Sequence, residues 1–380
     1  MHQLNNNHNV YILGAGFSAD RGLPMIKDFM VVMRDAHQWL ESNGRNREAE
    51  AIKAVLDFRL DAASAAYRVK LDLENIEELF SLASASSRVL TKKIQLAIAA
   101  TLDYKIQTVP APKIGFNTGS SKLTTFPTSW KTTSNTDIFP LAPYEVECPA
   151  YEFYLKTLIG NWNNQNNFST NSIITFNYDL IVEEALTSLS IPYNYAVGQK
   201  KSSSESHVEL LKLHGSINWG EKVGSTTSYE TDNKSYEELL NKGQTPQLVP
   251  PTWRKIFTGP LRNIWDNSIQ SLEKATRIIV IGFSMPATDS HFKYLMAAGL
   301  QKNISLREIV FVNPDGANLE QKAKALFGDA TIVGNISATS PIVKIIPCGL
   351  SSFLSQGNVA YSINMYGRQM PKEIQQIHLK

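Results

Sequence analysis

Cysteine is almost missing from this chain: 380 residues contain two, Cys148 and Cys348. Two thiols build neither a disulfide framework nor a four-thiolate metal site. The seven histidines add nothing to that count, since His2, His8, His37, His207, His291 and His378 form no zinc-finger spacing and His214 stands apart from them. No apolar run approaches the roughly 20 residues of a membrane-spanning helix, so no membrane association is expected. Long runs of one charge are missing too. Lys92-Lys93 and Lys200-Lys201 are isolated basic pairs and the formal net charge is +2, so direct nucleic-acid binding is not indicated. The stretch Met1 to Asn9 is polar and Asn-rich, without the apolar centre of a secretory signal, and a cytoplasmic protein is expected.

What is present is the composition of an ordinary folded protein, 43% apolar and 19% charged, in a length that suits one large α/β domain plus a second module. Val10-Tyr11-Ile12-Leu13 runs into Gly14-Ala15-Gly16, which reads as a buried parallel strand feeding a tight turn. From Asp28 to about Asp103 the period becomes helical: Ile76, Leu79, Phe80 and Ala83 share one face, as do Leu90, Ile94, Ala97 and Ile98. About Lys105 to Cys148, rich in Pro, Thr, Ser and Asn, reads as an irregular insert that is neither helix nor regular sheet. Strand patterns return at Ser172–Phe176, Leu210–Leu213, Ile278–Ile281, Glu308–Val312 and Ile342–Ile346. Helical spacing follows the first of these through Val182, Ala185, Leu186 and Leu189, and Thr288, Asp289 and Ser290 cap a helix running to about Leu300.

Strand, crossover helix, strand is the doubly wound pattern. The expected fold class is therefore α/β, a Rossmann-like parallel sheet with an inserted helical module. Residues 1–30 and 170–350 form the discontinuous nucleotide-type domain, 31–169 the mainly helical insert, and 351–380 a carboxy-terminal tail.

In an open parallel sheet ligands sit beyond the carboxyl ends of the strands. Those positions are Gly14-Ala15-Gly16-Phe17-Ser18, Asn177-Tyr178-Asp179, His214-Gly215, Gly282-Phe283-Ser284 and Asn313-Pro314-Asp315. Each has two readings. The glycine turn, with Ala19 third, fits a pyrophosphate held by backbone N–H groups or a tight turn with no ligand. Asp179 fits a helix cap or a site acid, and Asn177 a corner or a ligand for an amide. His214 fits a general base or a structural histidine. Asp35 stands at the spacing of a ribose-binding acid, but within a helical pattern, which argues against an ordinary dehydrogenase unit.

Taken in order, the five strand ends resemble the sirtuin superfamily. Gly14-Ala15-Gly16-Phe17-Ser18 with Gly22-Leu23-Pro24 is similar to its opening motif, Thr175-Phe176-Asn177-Tyr178-Asp179 to its Asn-x-Asp motif, and Leu213-His214-Gly215 to its histidine motif. Gly282-Phe283-Ser284 stands where the family has Gly-Thr-Ser, and Asn313 where an asparagine meets the adenosine ribose. Two departures set this chain apart. Deacylating sirtuins carry two Cys-x-x-Cys pairs after the histidine motif, whereas no cysteine occurs from Ser216 to Ile281, so no structural zinc is expected. Val249-Pro250-Pro251-Thr252-Trp253 also replaces the Phe-Gly-Glu motif that holds an acyl-lysine peptide. The Gly-Phe-Ser-Met-Pro and Pro-Pro-Thr-Trp segments look like the zinc-less, sirtuin-like NADases of bacterial antiphage defence, and the length and helical insert most resemble the subunit encoded beside a HerA-type ring ATPase.

The resemblance implies hydrolysis of NAD, as substrate, to nicotinamide and ADP-ribose, with NAD depletion as the outcome. It implies His214 as general base, Asn177 positioning the water and the leaving carboxamide, and Asp179 orienting the nicotinamide end. The turn Gly14, Ala15, Gly16, Phe17 and Ser18 would hold pyrophosphate, Pro24 belongs to the same motif, and Gly282, Phe283, Ser284 and Asn313 would hold the adenosine half. Homo-oligomers and a HerA-type ATPase partner are implied as well. An NAD-dependent deacylase, a non-catalytic NAD or ADP-ribose sensor, and a partner-recruiting scaffold are the rival readings.

Overall fold

Seven short segments pair into one sheet of the computed structural model, which describes residues 7–118, 130–133, 145–160, 168–197, 206–222, 224, 228–252, 259–285, 290–327, 343–355 and 374–379. In chain order the strands are β1 (Asn9–Leu13), β2 (Asn171–Thr175), β3 (Tyr193–Asn194), β4 (Val208–Lys212), β5 (Arg277–Ile281), β6 (Glu308–Val312) and β7 (Val343–Ile346). Their spatial order is β7-β6-β5-β1-β2-β4-β3 and every pairing is parallel. Strands β1, β2, β5 and β6 are buried at every position. Helices cover both faces of such a sheet, which is why these strands read as unbroken apolar runs and not as alternating ones.

The chain runs from β1 to β2, on to β3 at the edge and back to β4 between them, then crosses to β5 on the other side of β1 and moves outward through β6 and β7. The direction of winding therefore reverses between β1 and β5, the place where an open α/β sheet opens a crevice beyond its carboxyl ends. At the opposite, amino-terminal end an ion cluster ties the strands: buried Arg277 Nε lies 2.9 Å from one oxygen of buried Glu308, and Nζ of half-buried Lys344 lies 2.7 Å from the other.

The helical module is α1 (Phe29–Ser42), α2 (Asn46–Val69), α3 (Ile76–Ser86) and α4 (Arg88–Thr108). Asn75 caps α3 and Ser87 caps α4, each side chain accepting from backbone N–H groups of the first turn. Asp35 lies exposed on α1, away from any strand end. Then come α5 (Ala150–Ile159), α6 (Ile181–Ser188), α7 (Tyr236–Asn241), α8 (Pro260–Lys274), α9 (Ser290–Leu300) and α10 (Gly316–Phe327). The expected caps Thr288 and Asp289, with Trp253 and Ile342, lie outside the described residues.

The segment read as irregular between Lys105 and Cys148 is corrected in its described parts. Helix α4 continues to Thr108, and Lys113–Thr118 and Glu145–Pro149 are antiparallel strands, with Lys131–Thr133 beyond. The fourth strand of this small sheet is Ile374–Leu379, within the carboxy-terminal tail. Side chains Ile114, Phe116, Val146 and Cys148 are buried. The polar residues between them gave the stretch its loop-like composition.

Candidate functional site

At the switch point two glycine turns close on each other. The N–H of Gly14 donates to the Ile281 carbonyl at 3.0 Å and that of Gly16 to the Gly282 carbonyl at 2.8 Å. A Cβ on Gly14 would stand 2.7 Å from the Gly282 oxygen, and Gly282, at φ +64°, has the left-handed backbone that glycine adopts freely. The glycines after β1 and β5 are thus required by the close approach of two backbones. The N–H groups of Phe17 and Ser18 donate to the Gly14 and Ala15 carbonyls at 2.9 and 3.1 Å. Several donors offered by sequence for a pyrophosphate are therefore used in folding the turn, while Ala15 stays exposed on its crest.

The exit of β2 is fastened to the same turn. Asn177 Nδ2 donates to the Gly14 carbonyl at 2.9 Å and to Ser18 Oγ at 3.0 Å, and Ser18 Oγ donates to Asp179 Oδ2 at 2.8 Å. Asp179 Oδ1 accepts from the Ile181 N–H at 3.2 Å at the start of α6. Of its two readings the contacts show the cap at the start of α6, and the same carboxylate also fixes Ser18. Ser18 and Asp179 are buried, whereas Asn177 is half-buried with its donors committed. Its amide oxygen is the acceptor left for a ligand.

Beneath this corner Lys212, 1% exposed, donates to the Asp179 carbonyl and to Glu183 Oε1 at 2.7 Å, and Tyr195 OH donates to the same Glu183 oxygen at 3.1 Å. Burial pushes the Glu183 carboxyl up, against the lowering effect of Lys212. A lysine breaking an apolar strand two residues before His214 was a visible signal of such a pair, and sequence reasoning passed over it.

His214 follows β4 and is 5% exposed, more enclosed than a residue at a strand end need be. Its ring lies 5.3 Å from Phe176 edge to face and 6.1 Å from Tyr178. Phe176 stacks on Phe283 at 4.8 Å, and Phe292 lies 4.7 Å from Phe283. Phe17 packs against Tyr151 at 5.5 Å. The rings of Phe17 and Phe283 thus belong to the site's packed floor. Asn313 Nδ2 reaches the Phe283 carbonyl at 3.4 Å while its Oδ1 accepts from the Asp315 N–H at 2.9 Å, a turn that joins the β6 exit to the β5 exit. Ser284 is exposed, and Lys322 of α10 donates to its carbonyl at 2.8 Å. The structure thus links Gly14, Gly16, Phe17, Ser18, Asn177, Asp179, Gly282, Phe283 and Asn313 in one network with His214 at its aromatic edge. Pro24 sits half-buried in the following loop, outside that network.

Two further residues escaped sequence reading, and Tyr178, named there only as part of a strand end, has a contact that the sequence did not show. Tyr151 of α5 donates to the Phe17 carbonyl at 2.9 Å and accepts from the Arg21 N–H at 3.1 Å, spanning the short helical turns after Gly16. Burial, with the carboxylates of Asp20 and Asp179, keeps its hydroxyl protonated. Lys322 brings a cation to Ser284, and Tyr178 reaches across to Val249 through its hydroxyl at 2.7 Å. An aromatic or lysine on a helix reads as core or solvated face until the fold shows what it touches. Among the described residues no cluster of His, Cys, Asp or Glu is arranged to hold a metal ion, and no helix is long and apolar enough to cross a membrane.

Residues 171–329 match the SIR2-like domain family. Among solved structures, a Sir2 homologue–NAD complex is 13% identical, with 94% of this chain and 90% of that chain covered, at a TM-score of 0.40. A Sir2 homologue variant with ADP-ribose is 14% identical over 94% of each chain, at a TM-score of 0.41. A Sir2 complex with the inhibitor EX-527, 2'-O-acetyl-ADP-ribose and a deacetylated p53 peptide is 12% identical over 95% of each chain, at a TM-score of 0.35. Comparison with curated proteins gives no significant match.

Proposed function

We propose that this chain binds NAD beyond the carboxyl ends of β1, β2, β4 and β5 and hydrolyses its nicotinamide–ribose bond. The observation that carries the reading is the bonded corner Asn177–Ser18–Asp179, which joins the glycine turn after β1 to the exit of β2 beside His214. The SIR2-like match over 171–329 supports it. The residues fit a dinucleotide: exposed Ala15 and Ser284, the amino group of Lys322 at the Ser284 carbonyl, and the free acceptor of Asn177. Loss of nicotinamide leaves positive charge on the ribose, an oxocarbenium-like state as in glycoside cleavage. The C1'–N bond breaks with its electron pair leaving on nicotinamide, and water adds to C1'. His214 takes the water's proton, while the Asn177 oxygen orients the leaving carboxamide or the water. Asp179 acts through Ser18 as a positioning residue. The chain holds no structural zinc in this reading, and its setting is NAD depletion in antiphage defence, as a cytoplasmic homo-oligomer with a HerA-type ATPase.

The test is NAD turnover by purified protein, with and without that ATPase, beside release of acyl groups from acyl-lysine peptides. Nicotinamide and ADP-ribose in equal amounts, without deacylation, are expected. His214→Ala should stay folded, with the modest drop in melting temperature expected from truncating a 5%-exposed side chain, and lower turnover by about 10²–10⁴-fold, because the attacking water loses its proton acceptor. Near-normal turnover in that variant removes the base assignment, and acyl-lysine cleavage replaces hydrolysis with deacylation.

A further inference from the structure

The wall beside His214 is a short segment, Gln247 to Val249, and it is stapled from several directions. Gln247–Leu248 pairs antiparallel with Gly215–Ser216, and the Val249 N–H donates to the His214 carbonyl at 2.9 Å. Gln95 of α4 donates to the Leu248 carbonyl at 2.6 Å. Tyr178 completes the set: its hydroxyl donates to the Val249 carbonyl at 2.7 Å, its ring stands 6.1 Å from that of His214, and its own carbonyl accepts from the Ile217 N–H at 3.1 Å. The histidine, 5% exposed, is thereby enclosed by Phe176, Tyr178 and this segment.

We infer that the Tyr178–Val249 tie is an acceptor filter, which restricts the nucleophile reaching the ribose beside His214 to water. The inference rests on the NAD-cleavage reading. It follows from size: an enclosed base admits an acceptor as small as water, whereas an alcohol needs room on its carbon side that the tied ring and the wall occupy. Removing the tie leaves the chemistry in place. With methanol, the C1'–N bond still breaks, the alcohol oxygen bonds C1', and the proton passes to His214, giving methyl ADP-ribose in place of ADP-ribose.

The experiment is NAD cleavage by the full chain in a fixed water–methanol mixture, with the two products separated by chromatography. The wild type should give ADP-ribose almost alone. Tyr178→Phe, which deletes the hydroxyl and keeps the ring, should raise the methyl ADP-ribose fraction several-fold, and Gln95→Leu, which loosens the same wall from α4, should raise it less. Equal ratios in wild type and both variants overturn the inference, as does a wild type that already partitions statistically. A folded Tyr178→Phe variant that no longer cleaves NAD also overturns it, since the tyrosine would then serve the chemistry itself. Should Tyr178→Phe fail to fold, the Gln95→Leu ratio decides. No cleavage by the wild type under any condition removes the function reading and this inference with it, a result distinct from cleavage with unchanged partition.

Discussion

Lys212 brings a positive charge into the core two residues before His214, and Glu183 answers it from α6. Breaking such a pair strands the partner, so Lys212→Met should cost about 3–5 kcal/mol in denaturant unfolding. The loss has a pH signature. Burial raises the Glu183 carboxyl and Lys212 opposes that rise, so the variant's carboxyl shifts further upward. A carboxyl with a folded value above its unfolded one binds a proton more readily in the native state, and stability falls as pH rises between the two values. The deficit of Lys212→Met should therefore be smallest in acid and grow towards neutrality. A deficit that is constant with pH means that lost packing, not a stranded carboxylate, is responsible. The glycine interlock offers a second residue-scale test. Gly282 and Gly44 both have positive φ, +64° and +70°, but a Cβ on Gly44 meets nothing within 4 Å while one on Gly282 collides with the Phe17 nitrogen. Gly44→Ala should cost about 1 kcal/mol for its backbone alone, and Gly282→Ala distinctly more. Equal costs in thermal melts would show that the two turns part easily.

Helix α5 is buried along its whole length and connects parts of the chain that sequence reading kept separate. Its Glu152 accepts from Trp130 Nε1 and Ser188 Oγ, both at 2.6 Å, and its Tyr151 and Tyr154 hydroxyls hold Phe17, Arg21 and Asp20 after the glycine turn. Tyr151→Phe keeps the ring and deletes two bonds that shape that turn. Their net worth of about 1–2 kcal/mol should appear as lost stability in denaturant unfolding, and the loosened turn should raise KM for NAD with kcat little changed, measured by steady-state turnover. A fall in kcat at constant KM would place Tyr151 with the chemistry instead. The same helix shows where the sequence was legible. Strands β1, β2, β5 and β6 could be read because burial on both faces makes each an apolar run of its own. The small antiparallel sheet could not, because Lys113–Thr118 finds one neighbour at Glu145–Pro149 and the other at Ile374–Leu379, and neither partner is implied locally. The strand ends were legible as a set, since topology sends each to the same crevice. Their division of labour was not: that Asn177 spends its donors on Gly14 and Ser18, or that Tyr178 ties Val249, depends on contacts between residues far apart in the chain.

Across the whole molecule, the long stretch between β4 and α8 is held by the helical module. Arg47 of α2 donates to the Gln244 carbonyl at 2.9 Å and to Thr245 Oγ1 at 3.0 Å, and Gln95 of α4 to the Leu248 carbonyl. Tyr236 of α7 is buried and donates to Glu48 Oε1 at 2.9 Å, and Glu48 is paired with Arg45, which also bridges to Asp103 of α4. These bonds run from α2 and α4 to α7 and to the wall beside His214, so the helical module fixes the described part of this stretch. The prediction is that this stretch is indifferent to chelators and sensitive to the helical contacts. Incubation of untagged protein with a strong chelator should leave the melting temperature unchanged, and elemental analysis should find no stoichiometric zinc. Tyr236→Phe should cost about 1–2 kcal/mol, because Glu48 loses a buried donor while keeping Arg45. Because Gln247–Val249 lies on the same stretch, that variant should also speed proteolysis between β4 and α8 before it affects the strands. A chelator-induced drop in melting temperature, with Tyr236→Phe silent, would transfer the role of holding this stretch from the helices to a metal.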